Sequence, residues 1–187
     1  LSADIGKLSV SGTGTISVAG ADGESLSISK TDLDAIASLT ADADDTIALT
    51  AATAADLSAD IGKLSVSGTG TISVTGADGE SLTVTAAQLV NLDTITITGT
   101  AEVTVTGTAT AILAVISGTN IVNASSVVAT IDAGSEAASD LTALLAEANV
   151  TTVNASAVTT LTGTAAKVVA VVNEAGITVA ADYAVTL

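Results

Sequence analysis

Residues 1–26 and 57–82 are the same sequence except at one position, Ala19 against Thr75. The likeness runs on through conservative exchanges, Ser27 for Thr83, Ile28 for Val84 and Ser29 for Thr85, always at an offset of 56 residues. Self-similarity at a fixed spacing marks chains built from units that cannot bury an apolar face alone and that share one core by stacking. The expectation is a single elongated repeat array over residues 1–187. Its near-identical copies are 1–29 and 57–85, and more divergent, more hydrophobic coils fill 94–187.

The 56-residue period itself reads as double. Ala-rich, helix-like stretches recur at 32–37, 54–61, 86–92, 109–116, 136–148 and 165–175. A hydroxyl residue precedes most of them: Thr31, Thr53, Thr108, Ser135 and Thr164. Such side chains cap a helix by accepting from an orphan N–H of its first turn. Between the helices lie pairs of short segments that alternate apolar and polar, 63–67 with 71–75, 94–98 with 102–106, 150–154 with 158–162, and 177–180 with 183–187. That alternation is the period of a half-buried strand. The fold expected is mainly β with short helices, a repeat β-solenoid of about six to seven coils of strand, strand and short helix. The alternative is an array of β-hairpins, because Asp78-Gly79 suits the positive φ angles of a primed hairpin turn.

Composition narrows the function classes. The chain has no His or Cys, so the common zinc, haem and iron–sulfur ligands are missing, as are Ser-His-Asp and Cys-His catalytic sets. Four Lys stand against 20 Asp and Glu, a net charge of −16 that repels a polyanion; no nucleic-acid partner is expected. Aromatic residues are 1% of the chain, so the core must be built from Ala, Val, Leu and Ile. A mean hydropathy of +0.68 argues against disorder. No apolar run approaches the roughly 20 residues of a membrane helix, so membrane insertion is not expected. The absence of Met, with Leu at position 1, leads us to expect a processed or excised piece of a longer chain.

Four features could carry chemistry. Carboxylates are the first: Asp42, Asp44 and Asp45 in one cluster, Asp22 with Glu24 at one corner, and Asp78 with Glu80 at its copy. Oxygen-rich acidic corners suit Ca²⁺, a hard cation, the one candidate cofactor; the preferred reading is a solvated, self-repelling surface, and no cofactor is otherwise expected. Ser27-Ile28-Ser29-Lys30 has the Ser-x-x-Lys spacing of serine–lysine acylating enzymes, but its copy has Thr83 and Ala86 at those places, so the repeat does without it. Thr-x-Thr runs at 94–98, 104–106 and 83–85 would form a flat grid of hydroxyls and methyls, as on ice-binding solenoids; against this, Thr simply favours strands. Lastly, Asn123 and Asn154 recur in Val-Asn-Ala-Ser at an offset of 31, which suggests equivalent corners and an amide ladder. No catalytic residues are expected, and the chain is not read as an enzyme.

The run Thr-Leu-Thr-Gly-Thr-Ala-Ala at 160–166, an aliphatic helix and then Ala-Gly-Ile-Thr-Val at 175–179 resemble repeats of very large bacterial cell-surface proteins. These include S-layer-like proteins, repetitive adhesins and extracellular filament or matrix proteins. The resemblance implies secretion, a rod-like shape, many further repeats and a passive mechanical or adhesive task at the cell surface. The function expected is a structural, self-associating segment of a bacterial extracellular surface layer, sheath or filament. The alternatives are an adhesin stalk or Ca²⁺-responsive spacer module and, further off, an ice-binding solenoid. The expected partner is another copy of the chain, with cell-surface glycans as a second candidate.

Overall fold

The computed structural model describes residues 15–17, 25–29, 38–41, 46–50, 64–66, 71–75, 81–90, 94–98, 102–117, 120–122 and 126–187. In chain order it begins with six strands: β1 (Thr15–Ser17), β2 (Ser25–Ser29), β3 (Ser38–Ala41), β4 (Thr46–Thr50), β5 (Leu64–Val66) and β6 (Thr71–Thr75). Strand β7 (Ser81–Thr85) leads into helix α1 (Ala86–Leu89), and β8 (Thr94–Thr98) and β9 (Glu102–Gly107) lead into α2 (Ala109–Ile116). Next come β10 (Asn120–Val122), β11 (Ser126–Ile131), β12 (Gly134–Ala137) and α3 (Ala138–Ala146). The last elements are β13 (Val150–Ala155), β14 (Val158–Thr162), α4 (Ala165–Asn173), β15 (Ile177–Val179) and β16 (Ala184–Thr186).

The strands form four sheets. Two have three strands, β1-β3-β5 and β12-β14-β16; two have five, β2-β4-β6-β8-β10 and β7-β9-β11-β13-β15. Every pairing among the described residues is parallel. Parallel neighbours need a crossover between them, and here each crossover carries a strand of another sheet and, after β7, usually a helix.

This arrangement corrects the expected fold class. The molecule is an α/β structure of parallel five- and three-stranded sheets with four helices among the described residues, not a mainly β solenoid of uniform coils. The unit strand–strand–helix is not constant: two strands separate α1 from α2, three separate α2 from α3, and two separate α3 from α4. Nor are the helices decoration on one side. Ala109, Ile112, Ala138, Leu141, Leu144 and Val171 are all fully buried, so the helices supply much of the core. The hairpin alternative fails on the same evidence. β6 and β7, which flank Asp78-Gly79, belong to different sheets, and so do the two members of each expected strand pair.

The 56-residue copies are also out of phase with the structure. Partners on neighbouring strands lie from 21 residues apart (Ser25 and Thr46) to 26 apart (Thr94 and Asn120). An offset of 56 is no multiple of that spacing. Thr15-Ile16-Ser17 therefore forms β1 at the edge of a three-stranded sheet, while its copy Thr71-Ile72-Ser73 lies in β6 within a five-stranded one. Likewise β2 and its copy β7 sit at the edges of different sheets. A short alternating strand carries no instruction beyond which side faces the core, so one sequence serves several sheets.

Inside the second five-stranded sheet the alternation produces columns. Leu82 pairs with Val103, which pairs with Val127, which pairs with Val150. Beside them run Val84, Val105, Ala129, Val153 and Ile177. All nine are buried, most of them completely. A shift in register at Val127/Val128 is absorbed next to Asn149, whose φ of 72° is a left-handed conformation that Asn tolerates better than most residues.

Two helices start on the same four residues. Thr106-Gly107-Thr108-Ala109 and Thr162-Gly163-Thr164-Ala165 each end a strand, turn on Gly and open a helix. Gly107 has φ 155° and Gly163 φ 140°, angles that residues with a Cβ rarely adopt. Thr108 Oγ1 then accepts from Ala111 N–H at 3.2 Å, and Thr164 Oγ1 from Lys167 N–H at 3.4 Å. The expected caps at Thr108 and Thr164 are therefore present. Ser135 is not a cap: it lies in β12, and α3 begins after Ala137 with no side-chain cap. Thr31 and Thr53 lie outside the described residues.

Candidate functional site

The residues expected to bind Ca²⁺, Asp42, Asp44, Asp45, Asp22, Glu24, Asp78 and Glu80, all lie outside the described residues. Among the described residues no group of three or more carboxylates is gathered so as to hold a metal ion.

The most unusual polar group is instead Glu136. It is the buried charged residue among the described ones, only 7% exposed. The alternation of β12 puts it there: Glu136 pairs with Leu161 of β14, and both point into the core. Burial pushes its carboxyl above the ordinary 4.5. The Ala109 backbone N–H, at the start of α2, opposes that shift, while the charges of Asp140 and Asp132 add to it. The geometry explains why a carboxylate is tolerated. The first amides of a helix have no partner within it and carry partial positive charge. Glu136 meets one of these amides on α2 and Thr108 meets another. Nearby, Asp140 accepts from Thr110 Oγ1 and from Ser139 Oγ, each at 3.2 Å, which ties α3 to α2.

Above this junction is an open groove of about 320 Å³, lined by Thr85, Thr106, Gly107, Thr108 and Asp132 together with the methyls of Ala86, Ala87 and Ala111. Its walls are hydroxyls, small side chains and one carboxylate. Most of the surface they offer is apolar, and no group there is placed to activate a nucleophile. A smaller hollow of about 240 Å³ lies among Thr142, Leu145, Ala146 and Glu174.

Nothing in the sequence singles out Glu136, which falls inside the stretch expected to be helical from 136 to 148. Thr85 was legible but missed. Thr85-Ala-Ala-Gln88 has the spacing of a capping box, and the box is formed: Thr85 Oγ1 accepts from Gln88 N–H at 3.1 Å, and Gln88 Oε1 accepts from Thr85 N–H at 2.8 Å.

The other candidates are dispersed. Thr94, Thr96 and Thr98 belong to β8, in one five-stranded sheet, while Thr83, Thr85, Thr104 and Thr106 belong to β7 and β9, in the other. The single expected Thr grid is thus divided. Asn154 is not at a corner. It lies in β13, pairs with Thr130 and Thr178, and its Oδ1 accepts from Ser156 Oγ at 2.7 Å and Ser156 N–H at 3.2 Å. Asn123 lies outside the described residues, and so does Lys30 of the Ser-x-x-Lys run, whose Ser27 and Ser29 lie in β2.

Among the described residues no helix is long and apolar enough to cross a membrane. No family model, curated protein or solved structure matches the chain.

The raised Glu136 carboxyl makes a pH prediction. The folded chain holds this proton to a higher pH than the unfolded chain does. Ionisation therefore costs stability at neutral pH, and the cost fades as pH falls through the folded-state value toward 4.5. Glu136→Gln removes the charge and keeps an acceptor for Ala109 N–H. The variant should be more stable than the wild type in urea unfolding at pH 7.5, with the gap narrowing by pH 5. A gap that is absent, or that widens toward pH 5, would contradict this account.

Proposed function

We propose that the chain is a structural, self-associating segment of a bacterial extracellular surface layer, sheath or filament. The observation that carries this reading is the parallel ladder. In a parallel sheet the free edge of the last strand and the free edge of the first are complementary, so identical units can continue the ladder by translation. Among the described residues each of the four sheets keeps such edges, β1 and β2 at the first strand of two sheets and β15 and β16 at the last strand of the other two. Such head-to-tail contacts do not close on themselves and lead to open filaments.

Composition supports the same reading. The small aliphatic core needs no aromatic anchor or cofactor, and the net charge of −16 keeps copies apart until cations screen it. The bacterial surface as the setting rests on the resemblance of residues 160–166 and 175–179 to repeats of large surface proteins.

Electron microscopy of the purified chain, in parallel with Ca²⁺ and with chelator, tests the proposal. Filaments or sheets are expected, more abundant with Ca²⁺. A chain that stays monomeric at high concentration in both conditions would overturn it and favour an adhesin stalk or spacer.

A further inference from the structure

The turn between α3 and β13 presents an asparagine amide in a setting suited to modification. Asn149-Val150-Thr151 has the Asn-x-Ser/Thr spacing at which a sugar chain is joined to an asparagine side chain. The same spacing recurs at Asn123-Ala124-Ser125 and Asn154-Ala155-Ser156. Asn123 lies outside the described residues. Asn154 is half-buried within β13, with Thr130 and Thr178 on the strands to either side, so a sugar chain there would have to lie across β11 and β15.

Asn149 differs from Asn154 in each respect. It is exposed and takes the third place of a tight turn, which Val150 N–H closes by donating to the Glu147 carbonyl at 3.2 Å. Its φ of 72° is one that Asn tolerates. The Asn149 carbonyl accepts from Val127 N–H at 2.7 Å, which pins the turn to β11. Its side-chain amide makes no hydrogen bond among the described residues. Thr151 is exposed too, and its hydroxyl makes only a long contact, 3.5 Å, to the Val127 carbonyl. Glu147 adds a carboxylate two residues before the acceptor; Ile121 and Thr152 hold that place at the other two runs.

We propose that Asn149 carries an N-linked sugar chain, added by a transferase that reads Thr151 and grips the carboxylate of Glu147. The donor is a sugar carried on a lipid diphosphate. Asn149 Nδ2 forms a bond to the anomeric carbon of the sugar, and the bond from that carbon to the diphosphate oxygen breaks. The lipid diphosphate leaves with the electron pair, and the amide gives up one N–H proton to a base of the transferase. Val150 is buried in the folded chain, so the transferase meets this segment before β13 joins its sheet. Folding then leaves the modified side chain on an exposed turn, where a bulky hydrophilic group displaces nothing. The inference rests on the export that a surface role requires, not on self-association.

Peptide mass mapping of the chain isolated from the cells that make it, and of variants expressed in the same cells, provides the test. Wild type should carry one sugar chain, on Asn149. Asn149→Asp, which keeps a residue tolerant of positive φ, should lose it, and so should Thr151→Val. Thr151→Ser and Asn154→Gln should keep it, and Glu147→Gln should carry it on severalfold fewer molecules. Circular dichroism should show one fold throughout. An unmodified Asn149 in wild type, or a sugar chain that survives Thr151→Val, would overturn the assignment; full occupancy in Glu147→Gln would remove Glu147 from it. Filaments built from unmodified chains would leave self-association standing without this site, and a modified chain that never assembles would do the reverse.

Discussion

Leu141→Ala should lower the unfolding free energy by about 2–5 kcal/mol, the usual range for truncating a fully buried leucine. Leu141 is 0% exposed at the centre of α3, which packs on α2 on one side and α4 on the other. The cost should fall in the upper part of that range because the neighbours cannot close the gap. Across the described core they are Ala, Val, Leu and Ile, short side chains with few rotamers to redeploy. Leu187→Ala is the control: Leu187 is 79% exposed, and its truncation should change stability little. Urea unfolding of both variants gives the comparison. A loss below about 1 kcal/mol at Leu141 would mean that the helix layer is not part of the cooperative core.

The second large effect is expected at Gly107. Gly107→Ala should cost more than Gly134→Ala, although both residues have similar positive φ, 155° and 148°. At Gly134 a new Cβ meets nothing within 4 Å, so only the backbone strain is felt, on the order of 1–3 kcal/mol. At Gly107 the Cβ would also lie 3.1 Å from Ala86 Cβ and 3.4 Å from Ile112 Cγ1. Ala86 Cβ is a branchless stub on α1 and has no rotamer to yield, so α1 must move away from the end of β9. The difference between the two unfolding free energies measures that contact directly. Equal losses would show that the contact of Gly107 with α1 relaxes freely.

Local features were legible in the sequence wherever a short range decides them. Helix α2 occupies the expected stretch residue for residue, and Thr108 and Thr164 cap as their positions before Ala-rich runs suggest. The strands around 94–98, 102–106 and 158–162 follow from alternation alone. What could not be read was the partition of strands among sheets. Alternation says which side of Thr71–Thr75 is apolar but not which strand lies beside it, and two nearly identical sequences therefore settled in different sheets. Glu136 escaped for a related reason. Its partner is a backbone amide at Ala109, 27 residues away, and amides leave no trace in the sequence.

The same ladder spacing sets how the chain would respond to force. Residues bonded across neighbouring strands are only 21 to 26 apart along the chain. A pull directed along the order of the strands loads one rung at a time instead of shearing many together. Each rung that gives way pays out about 80 Å of extended chain, at roughly 3.3–3.6 Å per residue. Under load the molecule would lengthen in many small, separately recoverable steps, a spring that yields gradually where a sheared sandwich would snap.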